Sequence, residues 1–306
     1  MTDVLGKTDS NNTDPTVQGI VVGIDGSPGS QHALRWAAAR TARFGPVTPV
    51  VAWHYPWWAV PTGMPGGPPA ASAQEFADQA KAEGEQALAE VDPALPAALV
   101  VAEGTAGHCL VDAGRNAALI VVGTRGRGAV ADAVLGSVSS HVVRHATVPV
   151  AVIPEHVPVE DDTRRVVVGI DGSSNAVAAL AWAMRYTPPG ATLEAVHAWT
   201  YHLSTYPDAA ALSVELFEEE AKATLAKTVE EARARVAAAG APVHDVVSRL
   251  EYGDPRTVLM DAAEGADLMV LGARGHGGVA YLLVGSVTTS LVHKPVVATV
   301  VVPAGN

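Results

Sequence analysis

The chain states one plan twice. Val21-Val22-Gly23-Ile24-Asp25-Gly26-Ser27 recurs unchanged 146 residues later as Val167-Val168-Gly169-Ile170-Asp171-Gly172-Ser173. Toward the far end of each copy, Gly123-Thr124-Arg125-Gly126 followed by Gly136-Ser137-Val138 recurs 149 residues later as Gly272-Ala273-Arg274-Gly275 followed by Gly285-Ser286-Val287. Two signatures in the same order at nearly equal offsets mean a tandem duplication, so whatever unit the first half folds into, the second must repeat. A length of 306 residues also suits two domains. The joint falls in Pro154 to Arg165, where two prolines and the acidic run Glu160-Asp161-Asp162 break the apolar pattern. Residues 1–16 read as a polar, disordered tail, 17–155 as the first domain, 156–164 as a linker and 165–306 as the second domain.

Within each half, short continuous Val/Ile/Leu runs alternate with longer Ala-rich stretches of helical period, the pattern of a parallel sheet covered on both faces. The expected strands are Gly19 to Ile24, Val47 to Trp53, Ala97 to Ala102, Ala117 to Val122 and Val148 to Ile153. Their counterparts are Arg165 to Ile170, Thr192 to Trp199, Val243 to Arg249, Asp267 to Leu271 and Val296 to Val302. Helices are expected between them, for example over Ser30 to Arg43, Ser137 to His145 and Ser213 to Ala239. Five strands and four helices per half make two tandem doubly wound, Rossmann-like α/β domains. After each second strand the pattern lapses, in Tyr55 to Ala71 with its five prolines and in the shorter Tyr201 to Pro207. Both segments follow the carboxyl end of a strand, where such sheets bind ligands, and suit either a plain surface loop or a ligand lid.

The chemistry is carried by the glycine loops. Gly123, Gly126, Gly136 and Ser137 lie between a buried strand and a helix, as do Gly272, Gly275, Gly285 and Ser286. Glycines at such a turn allow positive φ and close approach of backbone N–H groups to a ligand. Ser137 and Ser286 stand where an N-cap belongs, so each helix start would offer N–H groups, a hydroxyl and a positive dipole end to an anion. One copy of such a turn could serve strand–helix packing alone; its full repetition at the same place in two α/β units favours an anion site.

These motifs resemble those of the universal stress protein family, in its nucleotide-binding branch, whose signature is GxxGx9G followed by Ser or Thr. The resemblance runs from about residue 17 to near the end of the chain. It implies sheets of strand order 3-2-1-4-5, ATP as ligand at one site per half, and a role in stress adaptation. It implies that Asp25 and Asp171 lie beside the nucleotide, and that Ala52 and Ala198 touch the base through their backbones. Around them, Gly23 and Gly169 close the first strands, while Thr124, Arg125 and Val138 match Ala273, Arg274 and Val287 in the glycine segments. Arg127 and Gly128 in the first loop and His276 and Gly277 in the second complete the expected cradle. The resemblance further implies that the halves pair through their final strands, open sheet edges that invite pairing, with a homodimer as a further level of assembly.

Asp25 and Asp171 are candidates for holding Mg2+ between nucleotide phosphates or for accepting from a ribose hydroxyl, and equally for capping the next helix in an Asp-Gly-Ser turn. No GxxxxGK[ST] occurs, which excludes a P-loop enzyme, and Gly126-Arg127-Gly128 lacks the third glycine of a dinucleotide fingerprint. Phosphoryl transfer would need a positioned nucleophile, and although Arg125 and Arg274 recur, no duplicated Lys, Glu or His suggests a general base. Binding is therefore expected rather than turnover, with a slow ATPase or a phosphoryl or nucleotidyl transferase as the alternative. The net charge of −12 argues against a nucleic-acid partner or an anionic membrane surface. The lone Cys109 precludes an intrachain disulfide and is expected to pack in a helix, and the polar amino terminus lacks a signal-peptide core, so a cytoplasmic location is expected. His141 and His145 are one helical turn apart but lack a nearby third ligand, so they are not expected to hold zinc.

Overall fold

The computed structural model describes residues 19–54, 72–92, 95, 97–126, 135–200, 210–275 and 284–303. The first half runs β1 (Ile20–Gly23), α1 (Pro28–Ala38), α2 (Thr41–Phe44), β2 (Val47–Trp53), α3 (Ala73–Val91), β3 (Val100–Glu103), α4 (Ala106–Ala113), β4 (Leu119–Gly123), α5 (Ser137–His145) and β5 (Val150–Ile153). The second runs β6 (Arg165–Ile170), α6 (Ser174–Tyr186), β7 (Thr192–Trp199), α7 (Ala210–Ala238), β8 (Val246–Tyr252), α8 (Pro255–Ala263), β9 (Leu268–Gly272), α9 (Ser286–His293) and β10 (Ala298–Val302). The segments 55–71 and 201–209, which include both stretches considered as lids, lie outside the described residues.

The strands form one ten-stranded sheet of order β3-β2-β1-β4-β5-β10-β9-β6-β7-β8, so each half has the doubly wound order 3-2-1-4-5. Every pairing is parallel except the central one, where β10 runs antiparallel to β5 with Val301 opposite Val150 and Thr299 opposite Val152. Residues of β4, β5 and β10 are buried throughout, as expected of strands covered on both faces, which is why these segments read as unbroken apolar runs. The outermost strand β8 is mostly half-buried or exposed. It extends three residues beyond the expected Arg249, to Tyr252, because its end is held by polar side chains. Arg249 pairs with Glu251 at 2.9 Å and with Glu194 on β7 at 3.6 Å, contacts that a search for apolar runs overlooks.

The helix expected over Ser30 to Arg43 is two helices, with the break at Arg40. Ser27 caps α1 and Pro28 opens it, in the first turn, where its missing N–H would have had no intrahelical partner. Arg40 is only 5% exposed and stacks on Trp36 at 3.9 Å from the ring centroid. Its Nη1 donates to the carbonyls of Trp36 and Val159, both at 2.9 Å, and its Nη2 to Glu160 at 3.1 Å. Burial pushes the Arg40 pKa down to about 10, against the opposing attraction of Asp161. The linker is thereby fastened to the first half rather than hanging between the two. A shared core continues the connection: Phe44 stacks on Trp182 and Tyr186 with centroids 5.9 and 4.8 Å apart.

Candidate functional site

In each half the chain leaves β1 (or β6) toward one neighbour and β4 (or β9) toward the other, which opens a crevice at the carboxyl strand ends. A cavity of about 330 Å³ occupies that crevice in the first half, and one of about 280 Å³ occupies it in the second. Gly23, Asp25, Ala52, Gly123, Arg125, Gly126, Gly136, Ser137 and Val138 line the first. Gly169, Asp171, Ala198, Gly272, Arg274, Gly275, Gly285, Ser286 and Val287 line the second. Position Ala52 follows from strand alternation: Ile24 N donates to Val50 O at 3.0 Å, so two residues on, the backbone of Ala52 faces the same way, past the end of β1.

Thr124 and Ala273 do not line these cavities. Thr124 is 7% exposed, and Ala273 packs in the seam core beside Val301; what they contribute is a carbonyl, which accepts from Gly136 N and Gly285 N respectively, each at 2.7 Å. These bonds hold the two ends of each loop together. Arg127, Gly128, His276 and Gly277 lie outside the described residues.

The helix starts differ from expectation in an informative way. The N-cap of α5 is Gly136 (φ −68°, ψ 162°) and that of α9 is Gly285 (φ −69°, ψ 159°), with Ser137 and Ser286 one place further on. Neither cap has a side chain to bond the first-turn N–H groups. By contrast, the caps of α1 and α6 are Ser27 and Ser173, whose hydroxyls accept from Ser30 N and Ala176 N at 3.2 Å. The molecule thus caps the helices that begin beside its first and sixth strands and leaves bare those that begin at the glycine loops, where the positive dipole end meets the cavity.

The positive φ expected of the signature glycines is absent: Gly26 and Gly172 carry it, at 73° and 80°, in the Asp-Gly-Ser turns. Close packing explains the others. A Cβ on Gly123 would come within 2.8 Å of Gly29 O, and one on Gly272 within 2.8 Å of Asn175 Cβ. A Cβ on Gly126 would collide with Asp25 Oδ2, and one on Gly275 with Asp171 Oδ2. Gly136 and Gly285 have room, with nothing nearer than 3.4 Å. Asp25 does not cap α1; its Oδ1 accepts from Ser27 N at 3.0 Å and Ser27 Oγ at 2.6 Å, and Asp171 holds Ser173 at the same distances. Each carboxylate is thus fixed by the cap below it and pressed against the glycine loop above.

The sequence reading missed Ser139 and Thr288, which line the cavities and donate to Gly123 O and Gly272 O at 2.6 and 2.8 Å. The signal was present as a hydroxyl residue two places after Ser137 and after Ser286. It also missed His108, which α4 brings to His141, with ring centroids 4.3 Å apart, while His141 stacks on His145 at 4.1 Å. Burial, then the neighbouring His145, His108 and Arg144, push the His141 pKa down. His108 and His141 are tilted at 47° and His141 and His145 are stacked at 21°, and among the described residues no group of three His, Cys, Asp or Glu is placed to hold a metal ion. Cys109 is half-buried in α4, and that burial raises its thiol pKa.

Two open α/β units, each with a glycine-lined crevice at its switch point, define a tandem doubly wound protein. The model of the universal stress protein family matches residues 16–154 and again 162–303. Universal stress protein Rv1996 of Mycobacterium tuberculosis is 33% identical over 300 residues, covering 90% of this chain and 92% of its own. Universal stress protein Rv2623 of the same organism is 33% identical, covering 91% and 95%. A universal stress protein crystal structure from Archaeoglobus fulgidus superposes with a TM-score of 0.60 at 21% identity, covering 94% of this chain and 97% of that one, and so shares the fold. The chain belongs to the universal stress protein family, in its tandem-domain form. No helix among the described residues is long and apolar enough to cross a membrane.

Proposed function

We propose that this protein is a nucleotide-responsive regulator that binds one adenine nucleotide in each half, ATP above all, and acts in stress adaptation in the cytoplasm. The observation that carries this reading is the duplicated pairing of a bare helix N-terminus with a crevice at the sheet's switch point. Phosphates would lie on the first-turn N–H groups of α5 and α9, and the base would reach toward Ala52 and Ala198. Asp25 and Asp171 are each held rigidly at the crevice floor and would supply one carboxylate to a phosphate-bound Mg2+, in keeping with the few protein ligands that ion takes.

Binding rather than turnover is the function the residues favour. The hydroxyls of Ser139 and Thr288 donate to the backbone, and a carboxylate of Asp25 or Asp171 that served as a metal ligand would not at the same time serve as the base on a nucleophile. Because β5 and β10 already pair with each other, a homodimer would use other surfaces. Mass spectrometry of small molecules released when the purified protein is denatured tests the reading. Adenine nucleotide in the supernatant supports it; a protein that neither carries nor takes up an adenine nucleotide refutes it.

A further inference from the structure

We propose that ligand binding in the first crevice is coupled to proton uptake at His141, so that the first half holds its nucleotide more tightly as pH falls, through residues that the second half does not repeat. The inference rests on the reading of that crevice as a nucleotide site. His141 on α5 touches two other imidazoles: His108 of α4, with ring centroids 4.3 Å apart, and His145 one turn further along its own helix, at 4.1 Å. Its ring lies over Gly107, where a Cβ would come within 2.7 Å of the ring Cδ2, so this approach needs a residue without a side chain. Ala106, the neighbour of Gly107, and Ser137, one turn before His141, both line the crevice. The imidazole therefore stands directly behind the crevice wall, about 6 Å along α5 from the helix start.

The surroundings of that ring resist its protonation. Packed on α5 are β5, a Val-Ala-Val-Ile strand with no titratable group, and α4, which carries His108, the Cys109 thiol and Asp112. Asp112 is held by Arg115 Nη2 at 2.7 Å, and α5 itself adds Arg144 and His145. Burial, then His145, His108 and Arg144, keep the His141 pKa low. The two helix starts beside the ring present positive dipole ends: Thr105 makes no cap bond to α4, its Oγ1 lying 2.7 Å from His108 Nδ1, and Gly136 has no side chain to cap α5. A polyphosphate at the start of α5 reverses this balance, since its negative charge lies within a Debye length of about 8 Å and favours the imidazolium. A ligand that draws a proton onto the protein binds more tightly as pH falls, by linkage.

The duplication supplies a comparison. At the positions matching His108, His141 and His145 stand Thr257, Ser290 and Lys294, and Arg256 takes the place of Gly107. Neither the central imidazole nor the glycine that admits it is repeated, although the crevice, the bare cap and the glycine loop are. The three histidines are therefore not a requirement of the fold. His145 Nδ1 donates to His141 O at 2.8 Å, which fixes the outer ring against the central one.

Titration calorimetry of ATP into the full chain carrying Gly285→Ser, which weakens the second site, tests the coupling against the same chain with His141→Gln added. Runs at about pH 7.5 and about pH 6, each in buffers of different ionisation enthalpy, count the protons taken up on binding. The chain with His141 is expected to take up more protons than the variant, and to gain roughly threefold or more in affinity relative to it across that range. The terminal phosphate of ATP titrates there too, but contributes equally to both chains and drops out of the comparison. An NMR titration of the His141 ring with and without ATP reads the same coupling with His141 in place, and its midpoint should rise on binding. Equal proton uptake in the two chains, or a midpoint that ATP leaves unmoved, overturns the inference and leaves the nucleotide reading standing; no ATP binding at either pH overturns both.

Discussion

Placing serine at the two bare caps, Gly136→Ser and Gly285→Ser, should stabilise the fold while weakening its ligand. Both glycines already have the extended cap conformation, and a Cβ there meets nothing nearer than 3.4 Å. The added hydroxyl can reach a first-turn N–H, as Ser27 and Ser173 reach theirs at 3.2 Å. Serine exceeds glycine as a cap by a few tenths of a kcal/mol, so each substitution should raise Tm by about 1 °C or leave it unchanged. The same hydroxyl takes an N–H from the phosphate, a charge-assisted bond whose loss is worth about 1.5–3 kcal/mol, or roughly 10- to 150-fold in affinity. Differential scanning calorimetry and nucleotide titration of the two single variants measure both signs. Affinity within twofold of the parent at both sites would refute the assignment of phosphate to these helix starts.

Gly123→Ala and Gly272→Ala should act on stability first, because the methyl meets Gly29 backbone or Asn175 at 2.8 Å, and overpacking of that kind costs about 1–3 kcal/mol; an unchanged denaturation midpoint would remove the packing role. Arg40→Met leaves the carbonyls of Trp36, Val159 and Glu160 without their donor and should cost about 2–4 kcal/mol in urea unfolding, with a loss under about 0.5 kcal/mol counting against the linker clasp. His141 has a depressed pKa in the folded state, so its contribution to stability is complete above about pH 6.5 and is lost as pH falls through its lower folded value. His141→Gln should therefore flatten the decline in stability between pH 7 and 5, and a slope equal to the parent's would show that the ring stack carries no linkage.

The duplication, the doubly wound class and the ten strands were legible because buried parallel strands leave unbroken apolar runs. Val47–Trp53, Arg165–Ile170 and Thr192–Trp199 have the expected bounds. The polar end of β8 was not legible, since Arg249 is held by charge, to Glu251 along its own strand and to Glu194 on β7, rather than by burial. In the glycine loops, spacing identified which residues come together but not why each is glycine. A glycine needed for positive φ, such as Gly26, and one needed for backbone clearance, such as Gly123, look the same in sequence. The cap was misplaced by one residue for a related reason: serine is the better cap, whereas these helix starts have a glycine that leaves their N–H groups open. His108 joins His141 only through the packing of α4 on α5, a long-range contact that no local pattern announces.

Titration calorimetry of ATP into nucleotide-free protein tests the central claim most directly. Two sites per chain are expected, the first weakened by Gly136→Ser and the second by Gly285→Ser, each leaving the other intact. A single site, or none, would contradict the reading of the two crevices as a duplicated nucleotide site.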